Sequence, residues 1–145
     1  MNCLKMDITA ELKKDLIKDE GFRQFPYMCK SEKLTIGIGR NIDDVGISEN
    51  EANFLLENDI KRSIKDAESI FNLNEMNQVR KEVIVNMIFN LGKTRFLTFK
   101  KTIQAIKDQD YMKAGSEMMD SKWFKQVGSR SSRLVQEMKS GERGN

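Results

Sequence analysis

Apolar positions recur along the chain at two different spacings, and the changes between them mark out its elements. Over residues 9–20, Leu12, Leu16 and Ile17 return at helical intervals, Ile8 sits one turn earlier, and Asp7 or Thr9 can cap the start. Gly21 is suited to end this helix, because glycine takes a left-handed conformation without a Cβ clash. Residues 25–29 and 34–38 then read as short strands joined by the polar run Lys30-Ser31-Glu32-Lys33, which makes a hairpin. Pro26, the only proline, has no backbone donor and suits an edge position or the first residue of its strand. Gly37 and Gly39 alternate with Ile36 and Ile38, leaving one face of the second strand bare, so that another backbone or a ligand can approach closely.

After a loop holding Asp43, Asp44 and Gly46, the pattern turns helical. Ser48-Glu49-Asn50-Glu51 is a capping box opening a helix to about residue 69, with Phe54, Leu55, Ile60, Ile64, Ala67 and Phe71 on its apolar side and charge elsewhere. It is long enough to bridge two lobes. Asn72-Leu73-Asn74 interrupts the pattern. In residues 76–91, Val83, Ile84, Val85, Met87, Ile88, Phe89 and Leu91 cover nearly the whole circumference, which predicts a buried axis stopped at Gly92. Residues 99–106, 111–119, a short piece around Trp123 and residues 131–139 are further helices, and residues 140–145 read as a disordered tail. The fold class is α+β and mostly α-helical, with no internal repeat or heptad run.

Composition narrows the chemistry more than the fold. A chain of 145 residues fits one domain, or a small lobe joined to a larger one. Lys and Arg number 25 against 22 Asp and Glu, a mildly basic balance that suits an anionic polymer and is also common on soluble surfaces. No basic stripe interleaves with aromatics and no recognition helix is apparent, which argues against nucleic acid as partner. Cys3 and Cys29 are the only cysteines, too few for a disulfide framework and suited to a reducing compartment. The N-terminus shows no signal-peptide core and no run approaches a membrane span, so the reading is cytoplasmic synthesis, no stable membrane insertion, and release by another route for any work outside. Histidine is absent, which removes the commonest general base and the commonest zinc ligand. Catalysis would rest on carboxylates, hydroxyls or a thiol.

The stretch where helix gives way to hairpin concentrates such groups. Glu20 closes the helix, and Arg23, Tyr27, Cys29 and Thr35 follow within one short helix-to-hairpin unit. On residue type alone, Glu20 reads equally well as a solvated charge in a last helical turn.

Glu20-Gly21-Phe22-Arg23, then Tyr27, then Leu34-Thr35-Ile36-Gly37-Ile38-Gly39, closely resembles the signature of the T-even type phage lysozymes, endolysins that cut peptidoglycan. Asn86-Met87-Ile88-Phe89-Asn90-Leu91-Gly92 is similar to that family's central helix, and Ser121-Lys122-Trp123-Phe124 with Arg130 and Arg133 to its C-terminal elements. The resemblance runs from about Leu12 to Met138. It implies one lysozyme-like, two-lobed domain over residues 1–145: a hairpin-bearing N-terminal lobe at about 9–48, a connecting helix at about 49–69, and a helical C-terminal lobe at about 75–139, with a glycan cleft between the lobes. It also implies a monomeric muramidase that cuts the β-1,4 bond between N-acetylmuramic acid and N-acetylglucosamine with inversion, for host lysis, without metal or organic cofactor. An inactive peptidoglycan-binding or structural module on the same fold is the alternative.

By that resemblance Glu20 is the general acid and Thr35 positions the attacking water. The family's usual aspartate is Cys29 here. Three readings of the thiol stay open: it orients water beside Thr35, it becomes a thiolate nucleophile, or catalysis is lost; a small buried bystander is the bland fourth. Glu32, in the adjoining turn, could instead supply the missing charge. Arg40 replaces the family's histidine, with Asp59 as its expected partner. Arg130 matches the arginine that pairs with the catalytic glutamate, and Arg133 the one that meets the preceding acid, Asp19. Phe89, Asn90 and Thr102 match glycan-contacting positions, Glu117 stands where the family has an amide, and Trp123 reads as core.

Overall fold

The computed structural model describes residues 5–144. The chain divides into two compact units, Met1–Asn53 and Phe54–Asn145.

In the first unit, α1 (Ala10–Glu20) starts where Thr9 Oγ1 accepts the Leu12 N–H at 3.1 Å. It stops where Gly21, at φ 71°, donates its N–H to the Ile17 carbonyl at 2.8 Å. The strands β1 (Arg23–Met28), β2 (Leu34–Gly37) and β3 (Arg40–Asn41) form an antiparallel sheet in that order. Tyr27 lies opposite Thr35 and Met28 opposite Leu34, while the pairing is irregular between Arg23 and Tyr27, where Pro26 can donate no hydrogen bond. β1 is accordingly an edge strand.

The expected loop after the hairpin is more ordered than its composition suggests. It supplies β3 and then one helical turn, α2 (Ile42–Val45), whose Asp44 N–H bonds Asn41 Oδ1 at 3.1 Å. Asp43 Oδ2 accepts the Leu34 N–H at 2.7 Å and Asp44 Oδ1 meets Lys33 Nζ at 3.0 Å, so both acids tie this turn back to the hairpin. The capping box forms: Glu51 N–H reaches Ser48 Oγ at 3.2 Å and Ser48 N–H reaches Glu51 Oε1 at 3.0 Å, opening α3 (Glu49–Ile70).

The second unit continues α3 and adds a 3₁₀ turn (Leu73–Glu75), α4 (Gln78–Leu91), α5 (Lys93–Phe96), α6 (Lys100–Lys107), α7 (Tyr111–Met119), α8 (Lys122–Val127) and α9 (Ser129–Ser140). Val83, Ile84, Met87, Ile88 and Leu91 of α4 are buried, joined by Phe96, Ile106, Met118, Leu134 and Met138 from the helices around it. Phe89 departs from the expected all-round burial, at 42% exposed. Aromatic edges link Phe71 to Phe96 and Phe99 to Trp123, at 6.1 and 6.4 Å between centroids.

The C-terminal tail, read from sequence as disordered, is held as far as residue 144. Arg80 donates to the Met138 and Lys139 carbonyls at 2.8 and 2.9 Å, satisfying the otherwise orphaned end of α9, and lies 4.0 Å over the Tyr111 ring. Asn77 Nδ2 donates to the Gly141 carbonyl at 2.8 Å, Gly144 N–H reaches Glu137 Oε1 at 3.1 Å, and Arg143 pairs with Glu82. Asn145 and Cys3 lie outside the described residues. Among those described, no helix is long and apolar enough to cross a membrane.

Candidate active site

Glu20 is the last residue of α1 and is exposed. Its carboxyl group lies against Gly39: a Cβ built there would come within 2.7 Å of Oε2 and 2.8 Å of Cδ. Gly39 also holds φ at 67°, in the left-handed region. The expected bare strand face does not form: β2 ends at Gly37, where an added Cβ would meet nothing within 4 Å, and the acid lies against Gly39 in the turn that leads to β3. Arg23 stacks over the Tyr27 ring at 4.4 Å, and Tyr27 is the cross-strand partner of Thr35.

Thr35 is 4% exposed, the one buried residue of the first unit among those described. Its Oγ1 donates to the Lys33 carbonyl at 3.0 Å. That carbonyl also accepts the Cys29 N–H at 3.0 Å, so one backbone oxygen fixes both residues. The turn between them closes through the Glu32 N–H and the Cys29 carbonyl at 2.9 Å, with Glu32 at φ 58°. Cys29 is half-buried and its Sγ lies 3.1 Å from Ser31 Oγ. The Ser31 hydroxyl, then the Lys33 backbone and the Thr35 side chain, bring the thiol down to about 7 against the opposing effect of burial.

Arg40 takes a different partner from the expected Asp59. Its Nη1 reaches Glu51 Oε1 at 3.0 Å and its Nη2 Glu51 Oε2 at 2.7 Å, a two-pronged pair, and Nη1 also donates to the Gly46 carbonyl at 3.0 Å. Glu51 wins because its capping-box role turns it back toward the chain that enters α3. Asp59 lies about two turns further along the helix and pairs with Arg62 at 3.2 Å. The Arg40 bond, reinforced by Ser48, holds Glu51 down to about 2.

In the second unit the residues assigned by resemblance are engaged as follows. Arg130 grips Asn86 Oδ1 through Nε at 2.9 Å and Nη2 at 2.7 Å, and Arg133 pairs with the buried Glu137 at 3.1 Å. Asp19 is exposed on α1. Phe89, Leu56, Ile60, Val85, Asn86 and Arg130 line a groove of about 420 Å³. Asn90 Oδ1 accepts the Trp123 indole N–H at 2.9 Å, so it steadies a core aromatic. Thr102, 2% exposed on α6, borders a cavity of about 520 Å³ that Arg95, Lys101, Glu117 and Trp123 also line.

Ser31, Asp43 and Glu51 join the site through bonds that residue type alone does not announce. Only Glu51 carried a clear signal, its capping-box spacing from Ser48; Asn41 to Asp44 shows a weaker cap spacing. Among the described residues, no group of three or more Cys, Asp or Glu side chains could hold a metal ion.

The pattern of the phage lysozyme family matches residues 17–140. The Dictyostelium discoideum protein named "Probable T4-type lysozyme 1" is 31% identical over 99 residues, covering 66% of this chain and 58% of its own length. The one named "Probable T4-type lysozyme 2", from the same organism, is 27% identical over 160 residues, covering 88% and 94%. An endolysin of Acyrthosiphon pisum secondary endosymbiont phage 1 is 30% identical over 110 residues, covering 73% and 72%.

Proposed function

Because the chain belongs to the phage lysozyme family and is a lysozyme-type hydrolase, we propose that it is a muramidase: it hydrolyses the β-1,4 bond between N-acetylmuramic acid and N-acetylglucosamine in peptidoglycan, with inversion, and serves in host lysis. The observation that carries this reading is the Glu20 carboxyl lying against Gly39 in the hairpin that also holds Cys29 and Thr35. Glu20 gives its proton to the leaving glycosidic oxygen as positive charge develops at the anomeric carbon. The attacking water enters from the opposite face. Thr35 has its hydroxyl proton committed to the Lys33 carbonyl, so its oxygen lone pairs accept a hydrogen bond from that water. Cys29 holds the water beside Thr35, in the position where the resemblance implies an aspartate.

Reducing ends released from purified peptidoglycan test the reading. Glu20→Gln is expected to lower the rate by roughly 10²- to 10⁴-fold, the range for losing a general acid, while leaving thermal stability unchanged. A parent that binds peptidoglycan yet releases no reducing ends would instead make the chain a glycan-binding module. Cys29→Ala and Cys29→Asp separate the readings of the thiol. An alanine variant as active as the parent removes Cys29 from the mechanism, and loss in alanine with recovery in aspartate supports water handling.

A further inference from the structure

From the geometry of the turn between β1 and β2, we infer that Ser31 is a positioning residue: its hydroxyl donates to Cys29 Sγ and holds the sulfur, as thiolate, where it takes a proton from the water at Thr35. The inference rests on the muramidase reading and adds to it the group that governs the thiol. Three bonds fix everything in this turn except the sulfur. The Cys29 N–H and the Thr35 hydroxyl share the Lys33 carbonyl, at 3.0 Å each, and the Glu32 N–H closes on the Cys29 carbonyl at 2.9 Å. The Lys33 backbone and the Thr35 side chain also face the sulfur, and the side-chain hydrogen bond that sets its rotation about Cα–Cβ is the 3.1 Å contact with Ser31 Oγ. With the thiol neutral either atom can donate across this contact, but once the sulfur is a thiolate only the Ser31 hydroxyl can. Ser31 Oγ makes no other hydrogen bond among the described residues.

The charged surroundings leave this role to the hydroxyl. Lys30 and Glu32 belong to the same turn, and Lys33 is paired with Asp44 at 3.0 Å. Asp43 accepts the Leu34 N–H at 2.7 Å, Arg23 lies over Tyr27, and Glu20 lies against Gly39. Among the described residues no charged side chain hydrogen-bonds the sulfur. In the reaction the water's oxygen forms the new bond to the anomeric carbon and its departing proton goes to Cys29 Sγ. The glycosidic bond breaks, and its oxygen takes the Glu20 proton. Both residues exchange protons with solvent before the next turnover, so charge and atoms balance without another reactant.

The experiment follows two quantities across pH 5 to 10 in the parent, Ser31→Ala and Ser31→Thr. One is the rate of Cys29 alkylation by iodoacetamide, read on the Cys29 peptide by mass spectrometry; the other is reducing-end release from peptidoglycan. The parent alkylation curve is expected to have its midpoint near 7. Ser31→Ala should move that midpoint up toward the ordinary thiol value of about 8.5, and the rising limb of the activity profile by the same amount. Ser31→Thr, which keeps the hydroxyl, should restore both. An unmoved alkylation midpoint in Ser31→Ala overturns the role of Ser31 and leaves the muramidase reading to its Glu20→Gln test. A moved midpoint with an unmoved activity profile overturns the role of the sulfur as proton acceptor. Parallel movement with threonine rescue supports the inference, because a merely structural loss at an exposed turn residue would lower activity at every pH alike.

Discussion

The two units of this chain draw their order from different sources. Among the described residues the buried hydrophobic ones all fall between Ala67 and Met138, in the second unit, where helices close around α4. The first unit has Thr35 as its one buried residue among those described, and the bonds that shape it are local. Thr9 caps α1, Asp43 holds Leu34, Lys33 meets Asp44, Arg40 meets Glu51, and Ser48 exchanges bonds with Glu51. A packed core responds to volume, because its neighbours collapse only partly around a cavity. A hairpin set by turns and caps responds to backbone conformation and single polar atoms. Chemistry can therefore vary without loss of the fold, because the proposed reacting residues lie in the unit that carries little of the hydrophobic stabilisation.

The largest expected effect tests the packed side of that contrast. Phe96 is fully buried and meets Phe71 edge-on at 6.1 Å. Phe96→Ala should cost about 3–5 kcal/mol, the range for emptying an aromatic site in a core. The midpoint of thermal unfolding should fall by on the order of 10 °C, while kcat per folded molecule at low temperature stays at the parent value. If kcat per folded molecule falls with stability, the hairpin geometry depends on the core and the contrast breaks.

Gly39→Ala tests the other side. The new methyl would sit 2.7 Å from Glu20 Oε2 at a residue held at φ 67°, so either the carboxyl moves or the turn between β2 and β3 does. Displacing a reacting group by about 1 Å can cost roughly 10²-fold in rate, and a fall in kcat of about that size is expected. Stability should fall far less, by about 1 kcal/mol for the left-handed backbone. Gly37→Ala is the control. Gly37 has φ 68°, and a methyl added there would meet nothing within 4 Å, so it carries the same backbone cost without touching Glu20. Equal losses of kcat in the two variants would mean that backbone strain, and not the seat of the acid, limits the reaction.

Sequence pattern carried the elements whose causes are local. Thr9, Gly21 and the Ser48 to Glu51 box each specify a terminus through atoms a few residues apart, and all three are realised. The apolar run in α4 told of a buried helix but not which side stays open, because the exposure of Phe89 depends on what the other helices cover. The glycine pair read as a bare strand face instead ends β2 at Gly37 and forms the following turn at Gly39, because both residues take left-handed backbone that alternation alone does not reveal. Side chains that choose among several reachable partners were the least legible. Arg40 could meet any acid near α3, and it meets Glu51 because the capping box turns that side chain back toward the entering chain, a link between a local signal and a distant partner that spacing alone does not reveal. The ordered tail was missed for the same reason, since Arg80 and Asn77 hold it from far along the chain.

The smallest effect isolates the Arg40–Glu51 pair and serves the contrast by perturbing the hairpin unit through charge alone. Glu51 is held at about 2, down from 4.5, chiefly by its bond to Arg40 and then by Ser48. A carboxylate with a depressed folded value binds fewer protons folded than unfolded. Its stabilisation is therefore complete above about 4.5 and is lost as pH falls from there toward about 2. Urea midpoints at pH 6 and pH 3 for the parent and Glu51→Gln measure it. The parent should exceed the variant at pH 6, and the gap should narrow at pH 3, because the glutamine has no charge to lose. Arg40→Met should reduce that narrowing by removing the main partner, leaving the Ser48 bonds to hold what remains of the depression. Parallel acid responses in parent and Glu51→Gln would mean that the pair contributes no net stability in either form, and that capping and strand pairing alone hold the hairpin to α3.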